Sequence, residues 1–266
     1  GDKPSNEQRR LYAAAYEQIE SNITVLKAGR TFLEVAAQCW PIPEEFLSNR
    51  YSVSMHGVGL ADEYPSIKHA VDVAGHTIDL PIVAIKPDFA ISLMMIIDLG
   101  VKFGEHVGKK LAEQLAPLKP DVVVGAATLG IPVAIEVSRS LGLDDYVILQ
   151  KSPKIHLGDA LTQTITSITS KGEQRLLLDR RAVLLLKGKR VVVVDDVIAS
   201  GSSIKGSVDL VRKAGGNVVG IGVVLTEARE WMEPMGEDAE LIHSLAHIPQ
   251  FTQDDGTWKP IPETLL

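Results

Sequence analysis

The sequence predicts an α/β fold with a central parallel sheet flanked by helices. Three observations carry this expectation. Val122–Val124 and Val191–Val194 are unbroken β-branched runs, as expected of central strands covered on both faces. From about Ile67 onward, strand-like segments alternate with segments of helical period, which is how a parallel sheet joined by crossover helices reads. With 45% hydrophobic residues over 266 positions, the chain can bury a sizeable core.

Residues 1–66 read as an N-terminal helical extension and residues 67–266 as the main domain, with a boundary near Glu63–Ser66. In the extension, Leu11, Ala14, Ala15, Ile19 and Ile23 make an apolar face over Ser5–Lys27. Ser5 and Gln8 are spaced as a capping box, and Gly29 ends the helix. A second helix is expected over about Thr31–Cys39, broken by Pro41 and Pro43, then a short strand Tyr51–Met55 entering the turn His56–Gly59. The first helix needs a cover for its apolar stripe, either the main domain or another subunit.

In the main domain, strands are expected at Val71–Val73, Thr77–Ile85, Val122–Gly125, Tyr146–Gln150, Gln163–Ile168, Val191–Val194 and Val218–Leu225. Helices are expected at Leu93–Leu115, Ile131–Leu141, Gly201–Ala214 and Arg229–Met235.

Charge narrows the function classes. A net charge of −7 and a pI near 5.5 argue against broad binding to nucleic acid, which needs a basic face. The single cysteine, Cys39, excludes an internal disulfide framework and fits a reducing compartment. No apolar run is long enough to span a bilayer, and the polar N-terminus has no signal-peptide core, so a cytoplasmic protein without membrane partners is expected.

The most informative segment is Val191–Lys205. A buried strand ends in Asp195-Asp196, the small residues Ala199-Ser200-Gly201-Ser202-Ser203 follow, and a helix begins near Ser202. Open α/β sheets bind ligands at the carboxyl ends of their strands. Small residues let backbone N–H groups converge on an anion, and the helix adds its positive end at the same point. A phosphate monoester suits that cradle. The two acids would repel it, so they should face something else, such as vicinal sugar hydroxyls. A lone Asp-Asp is also the cap of an ordinary strand–turn–helix; the fifteen-residue pattern as a whole is far more specific.

That pattern resembles the 5-phosphoribosyl-1-pyrophosphate (PRPP) signature of type I phosphoribosyltransferases, and the resemblance extends over roughly Val71–Phe251. It implies the type I fold with a small hood. By that resemblance Asp195 and Asp196 hold the ribose 2′- and 3′-hydroxyls, and Ala199, Ser200, Gly201, Ser202 and Ser203 hold the 5′-phosphate. Val122–Pro132 looks like the family's pyrophosphate loop, which gives Ala127 and Thr128 a PRPP-binding role. Leu149–His156 sits where the family has a basic flexible loop, so Lys151 and Lys154 either meet the departing pyrophosphate as catalytic groups or are solvated surface lysines. The resemblance further implies Mg²⁺ bound mainly through PRPP, with no dedicated protein metal site. A homodimer is expected. Phe251 and Trp258 are either hood aromatics over the base, core residues or dimer contacts.

The departures bear on the acceptor. Ala199 stands where hypoxanthine–guanine enzymes carry an acid. Thr128-Leu129-Gly130 lacks the arginine usual in adenine enzymes, and Gln150-Lys151 replaces the Arg-Lys of orotate enzymes. A purine acceptor is expected, a 6-oxopurine such as xanthine or else adenine. The alternative is a non-catalytic PRPP-binding regulator, against whose DNA-bound form the acidic balance and the lack of a winged-helix pattern weigh.

Residues 1–66 resemble a different family. His56-Gly57-Val58-Gly59-Leu60-Ala61-Asp62-Glu63-Tyr64-Pro65 is similar to the creatinase/methionine-aminopeptidase fold, in its dimethylsulfoniopropionate lyase branch. There the histidine binds metal together with several acids, and His56 lacks those partners. A metal-dependent lyase or peptidase reading therefore has too few ligands, and a relic or fusion-derived segment is expected.

Overall fold

The computed structural model describes residues 5–25, 27, 35, 38–39, 67–152, 160–166 and 173–265. The chain divides into two compact units, Gly1–Asp62 and Glu63–Leu266. In the first, helix α1 spans Asn6–Val25, and Tyr12 stacks on Tyr16 one turn later with ring centroids 6.4 Å apart. The expected strand Tyr51–Met55, the His56–Gly59 turn and nearly all of the expected second helix lie outside the described residues.

The second unit has at its centre a five-stranded sheet. Its strands are β4 (Val122–Ala126), β5 (Tyr146–Leu149), β8 (Arg190–Ile198), β9 (Asn217–Glu227) and β10 (Ile242–Ile248). The spatial order is β10-β9-β8-β4-β5, and every neighbouring pair is parallel. Val122–Val124 and Val191–Val194 are fully buried, as continuous β-branched runs require.

Three longer helices cover this sheet: α2 (Gly100–Leu115), α3 (Gly130–Leu141) and α5 (Ser202–Lys213). One face packs on α5 through Val191, Val193, Ile204, Val208 and Val211. The other packs on α2 and α3 through Val192, Val194, Leu111, Leu115, Val133 and Val137. Contact with α2 is close because β9 carries two glycines on that side. A Cβ on Gly220 would run into Leu118, and one on Gly222 would lie 2.9 Å from Leu115.

A second five-stranded sheet, in the order β1-β2-β3-β11-β12, is antiparallel throughout. It joins β1 (Lys68–Val73), β2 (His76–Lys86) and β3 (Phe89–Ser92) to β11 (Gln250–Asp254) and β12 (Thr257–Pro260). Val71, Val73, Ile78 and Leu80 share a core with Leu225 and Ile248 of the parallel sheet. This sheet is the expected hood, larger than the sequence suggests. A hairpin of β6 (Leu161–Thr166) and β7 (Glu173–Leu178) is tied to the edge of β5, where Gln150 and Leu177 exchange N–H···O bonds of 2.9 and 2.8 Å. Short helices α4 (Val183–Leu186) and α6 (Met232–Met235) complete the list. Among the described residues no helix is long and apolar enough to cross a membrane.

Several expected elements are corrected. The helix expected over Leu93–Leu115 is divided: Ile96–Leu99 forms a 3-10 turn and the α-helix starts at Gly100, whose φ of 80° no right-handed helix continues through. The strand expected at Gln163–Ile168 spans Leu161–Thr166, and the helix expected over Arg229–Met235 shrinks to one turn. Strands β3, β7, β10, β11 and β12 were not expected at all.

Candidate active site

The parallel order fixes which loops meet. Gly125 of β4 is level with Val194 of β8, Ala126 with Leu149 of β5, and Ile198 of β8 with Thr226 of β9. Residues 127–129, 150–152, 195–203 and 226–228 therefore emerge along one edge. The chain runs outward from β4 to β5 and returns on the other side of β4 as β8. That reversal is a topological switch point, where open sheets form a crevice.

Asp195 and Asp196 lie near the carboxyl end of β8, followed within the strand by Val197 and Ile198, and are only 7% and 8% exposed. The Asp195 Oδ1 accepts the Asp196 backbone N–H at 3.1 Å. Burial pushes the Asp195 carboxyl well above the usual carboxylate range, and the neighbouring Asp196 charge pushes it further. Burial likewise raises Asp196. The positive charge of Lys151, two residues beyond β5, opposes both shifts, so this lysine lies within electrostatic reach of the pair. Gly130, which opens α3, lies against the acids: a Cβ there would sit 2.8 Å from Asp195 Oδ1.

The small-residue loop curls around a cavity of about 140 Å³ lined by Val197, Ile198, Ala199, Ser200, Gly201, Ser203 and Ile204. Gly201 has φ 77°, and a Cβ on it would lie 3.1 Å from the Trp231 carbonyl oxygen, so both conformation and space demand glycine. Ser200 Oγ and Ser202 Oγ are 2.7 Å apart. Ser203 Oγ is buried without a hydrogen-bond partner among the described residues. An unsatisfied buried hydroxyl beside a helix N-terminus and an empty cavity suits an oxyanion.

The pyrophosphate-loop candidates are also placed at this edge. Ala127 N–H donates to Leu149 O at 2.8 Å, and Thr128 O accepts from Ile131 N–H at 3.2 Å. Thr128 is exposed and the Ala127–Thr128 peptide is cis. Asp195, Asp196, the 199–203 loop, Ala127, Thr128 and Lys151 are thus brought together, whereas Lys154 lies outside the described residues.

Lys205, the last residue of the sequence pattern, has another task. Its Nζ donates to Asp209 at 2.8 Å and to Asp238 at 3.1 Å. Arg212 Nη1 joins Asp238 at 2.9 Å and holds that carboxyl below its usual range. The network ties α5 to the turn Gly236–Leu241. Phe251, 2% exposed, packs with Ile82 and Ala90 in the hood core and meets His69 edge-on, so its ring is a core group.

Sequence reasoning passed over the carboxyl end of β9. Thr226 and Glu227 are buried there. Thr226 Oγ1 is 2.9 Å from His247 Nδ1, whose Nε2 lies 2.7 Å from Thr264 O. Glu227 Oε1 accepts from Gln250 Nε2 at 3.3 Å, across to the hood. The available signal was the one used for Asp195-Asp196, an apolar strand ending in polar residues.

Comparison with known proteins agrees with this geometry. The phosphoribosyl transferase domain model matches residues 102–253. The xanthine phosphoribosyltransferase of Bifidobacterium adolescentis is 29% identical over 159 residues, 59% of this chain and 81% of that protein. An orotate phosphoribosyltransferase of Caldanaerobacter subterraneus is 31% identical over 123 residues, 46% of this chain and 53% of that one. The crystal structure of adenine phosphoribosyltransferase from Thermoanaerobacter pseudethanolicus shares the fold, with a TM-score of 0.54 at 24% identity over 63% of this chain and 95% of that one. The switch-point crevice, the buried acid pair and the match over more than half the length lead to one conclusion: the chain belongs to the phosphoribosyltransferase family, and is by that membership a PRPP-dependent pentosyltransferase.

Proposed function

We propose that the protein transfers the 5-phosphoribosyl group of PRPP to a ring nitrogen of a purine and releases pyrophosphate, with xanthine as the first acceptor to test. One observation carries the donor assignment: a buried acid pair lies near the carboxyl end of β8, two residues before a small-residue loop around a cavity. In this reading the 199–203 loop holds the 5′-phosphate, with Ser203 Oγ satisfied by a phosphate oxygen. Asp195 and Asp196 accept hydrogen bonds from the ribose 2′- and 3′-hydroxyls, which gives two desolvated carboxyls further donors. Ala127 and Thr128 position the pyrophosphate, and Lys151, with Lys154, screens its charge as it leaves.

Mg²⁺ fits the site as a companion of PRPP. Among the described residues no cluster of three or more His, Cys, Asp or Glu could hold a metal ion, so the ion would come mainly with PRPP, with pyrophosphate oxygens and water supplying its shell. When bound, the ion would supply charge neutralisation at the pyrophosphate.

The purine preference rests on relatives. The curated proteins from Bifidobacterium adolescentis and Clostridium perfringens are named xanthine phosphoribosyltransferases. The test is pyrophosphate release from PRPP and Mg²⁺ with xanthine, hypoxanthine, guanine, adenine or orotate. Release with a purine, fastest with xanthine, is expected. Release with orotate alone, or with no base, overturns the reading.

A further inference from the structure

The displacement at C1′ is in line, so the attacking nitrogen approaches from the side opposite the leaving pyrophosphate. With the pyrophosphate over β4 and β5, as the proposed function has it, the acceptor sits on the other side of β8. The sheet order places β9 and β10 there. A neutral acceptor whose attacking ring nitrogen, or its tautomeric partner, carries hydrogen must also lose that proton as the N–C1′ bond forms. The loop itself offers no acid, since Ala199 follows Ile198 directly.

On that side stands Glu227. Thr226 is level with Ile198, so Glu227 is one residue further along, beside the start of the loop. On its other flank it is level with Ile248, which leads into the hood strand beginning at Gln250. The Gln250 amide engages Oε1 at 3.3 Å, and among the described residues no hydrogen bond reaches Oε2. Gln250 thus holds one oxygen from the hood side, while the strand register sets the residue beside the start of the loop. From this placement the geometry points to Glu227 as the proton acceptor of the transfer, its Oε2 meeting the acceptor's ring N–H. The ring nitrogen forms the bond to C1′, and the C1′–O bond breaks with its electron pair leaving on pyrophosphate. The proton passes to the Glu227 carboxylate and then to water.

Burial, reinforced by the Glu230 charge, raises the Glu227 carboxyl above its ordinary value. That moves it toward the range in which a carboxylate is an effective base near neutrality. The inference rests on the proposed function, and the experiment separates the two. In Glu227→Gln, which keeps size and a hydrogen-bonding oxygen, kcat for the preferred purine falls roughly 10²–10⁴-fold, as for loss of general acid–base help. The PRPP Kd measured by calorimetry stays within about twofold of wild type. Purine analogues with progressively more acidic ring N–H groups show progressively smaller defects, a trend that a purely structural role would not produce. An unchanged kcat in the variant, an equal loss for every analogue, or loss of PRPP binding overturns the role of Glu227 while the transferase reading stands. Absence of turnover in the wild type with every base removes both.

Discussion

At the scale of single residues, the acid pair is the least comfortable feature of the fold. Two adjacent carboxyls are buried and neither forms an ion pair among the described residues. Their pKa values are raised by folding, so the folded state binds protons more readily than the unfolded chain. Stability therefore falls as pH rises from the ordinary carboxylate range through the raised values. Asp195→Asn, which keeps an oxygen for the Asp196 N–H, should unfold at a higher temperature than wild type at about pH 7, each kcal/mol recovered shifting Tm by roughly 2–4 °C. The advantage should vanish near pH 4, where the wild-type acids take up protons. Thermal scans at the two pH values check this, and equal midpoints at both would contradict it. The acid pair was legible in the sequence because a continuous apolar run gave way to two acids shortly before small residues. The task of Lys205 was not legible, because its partner Asp238 lies on a turn beyond the next strand. Glu227 was passed over for a related reason: an acid at a strand end acquires meaning only when its neighbouring strands are known.

At the scale of elements, the buried strands and the helices with a clear apolar stripe could be read directly. Val122–Val124, Val191–Val194 and the helix over Ser202–Lys213 were recoverable from pattern alone. The hood was not. β3 is four residues long, and β10, Ile242–Ile248, is half-buried along most of its length with no clean alternation. Such strands are specified by the neighbours they pair with rather than by their own period. The glycines of β9 make the converse point, since their use appears only when α2 is laid across them. Gly220→Val should force Leu118 and the end of α2 away, destabilising the protein by about 1–3 kcal/mol, as overpacking does. Urea unfolding measures it, and an unchanged midpoint would show that α2 is free to shift.

At the scale of the molecule, the candidate site residues lie along one edge of one sheet. Lys151 follows β5, Ala127 and Thr128 follow β4, the acids lie near the end of β8 and the small-residue loop follows it, and Glu227 ends β9. In chain order these are scattered over about a hundred residues, and only the strand order places them side by side. We propose that residues 67–266 contain all that PRPP binding needs. The N-terminal lyase-like likeness lies almost wholly outside the described residues, and no role is assigned to it. Calorimetric titration of PRPP with Mg²⁺ tests the central claim most directly, using the intact chain, the chain without residues 1–66 and Asp196→Asn. The account predicts saturable binding of similar affinity in the first two and a loss of at least tenfold, about 1.4 kcal/mol, in the third. Unchanged affinity in Asp196→Asn, or no binding by the intact chain, would contradict it.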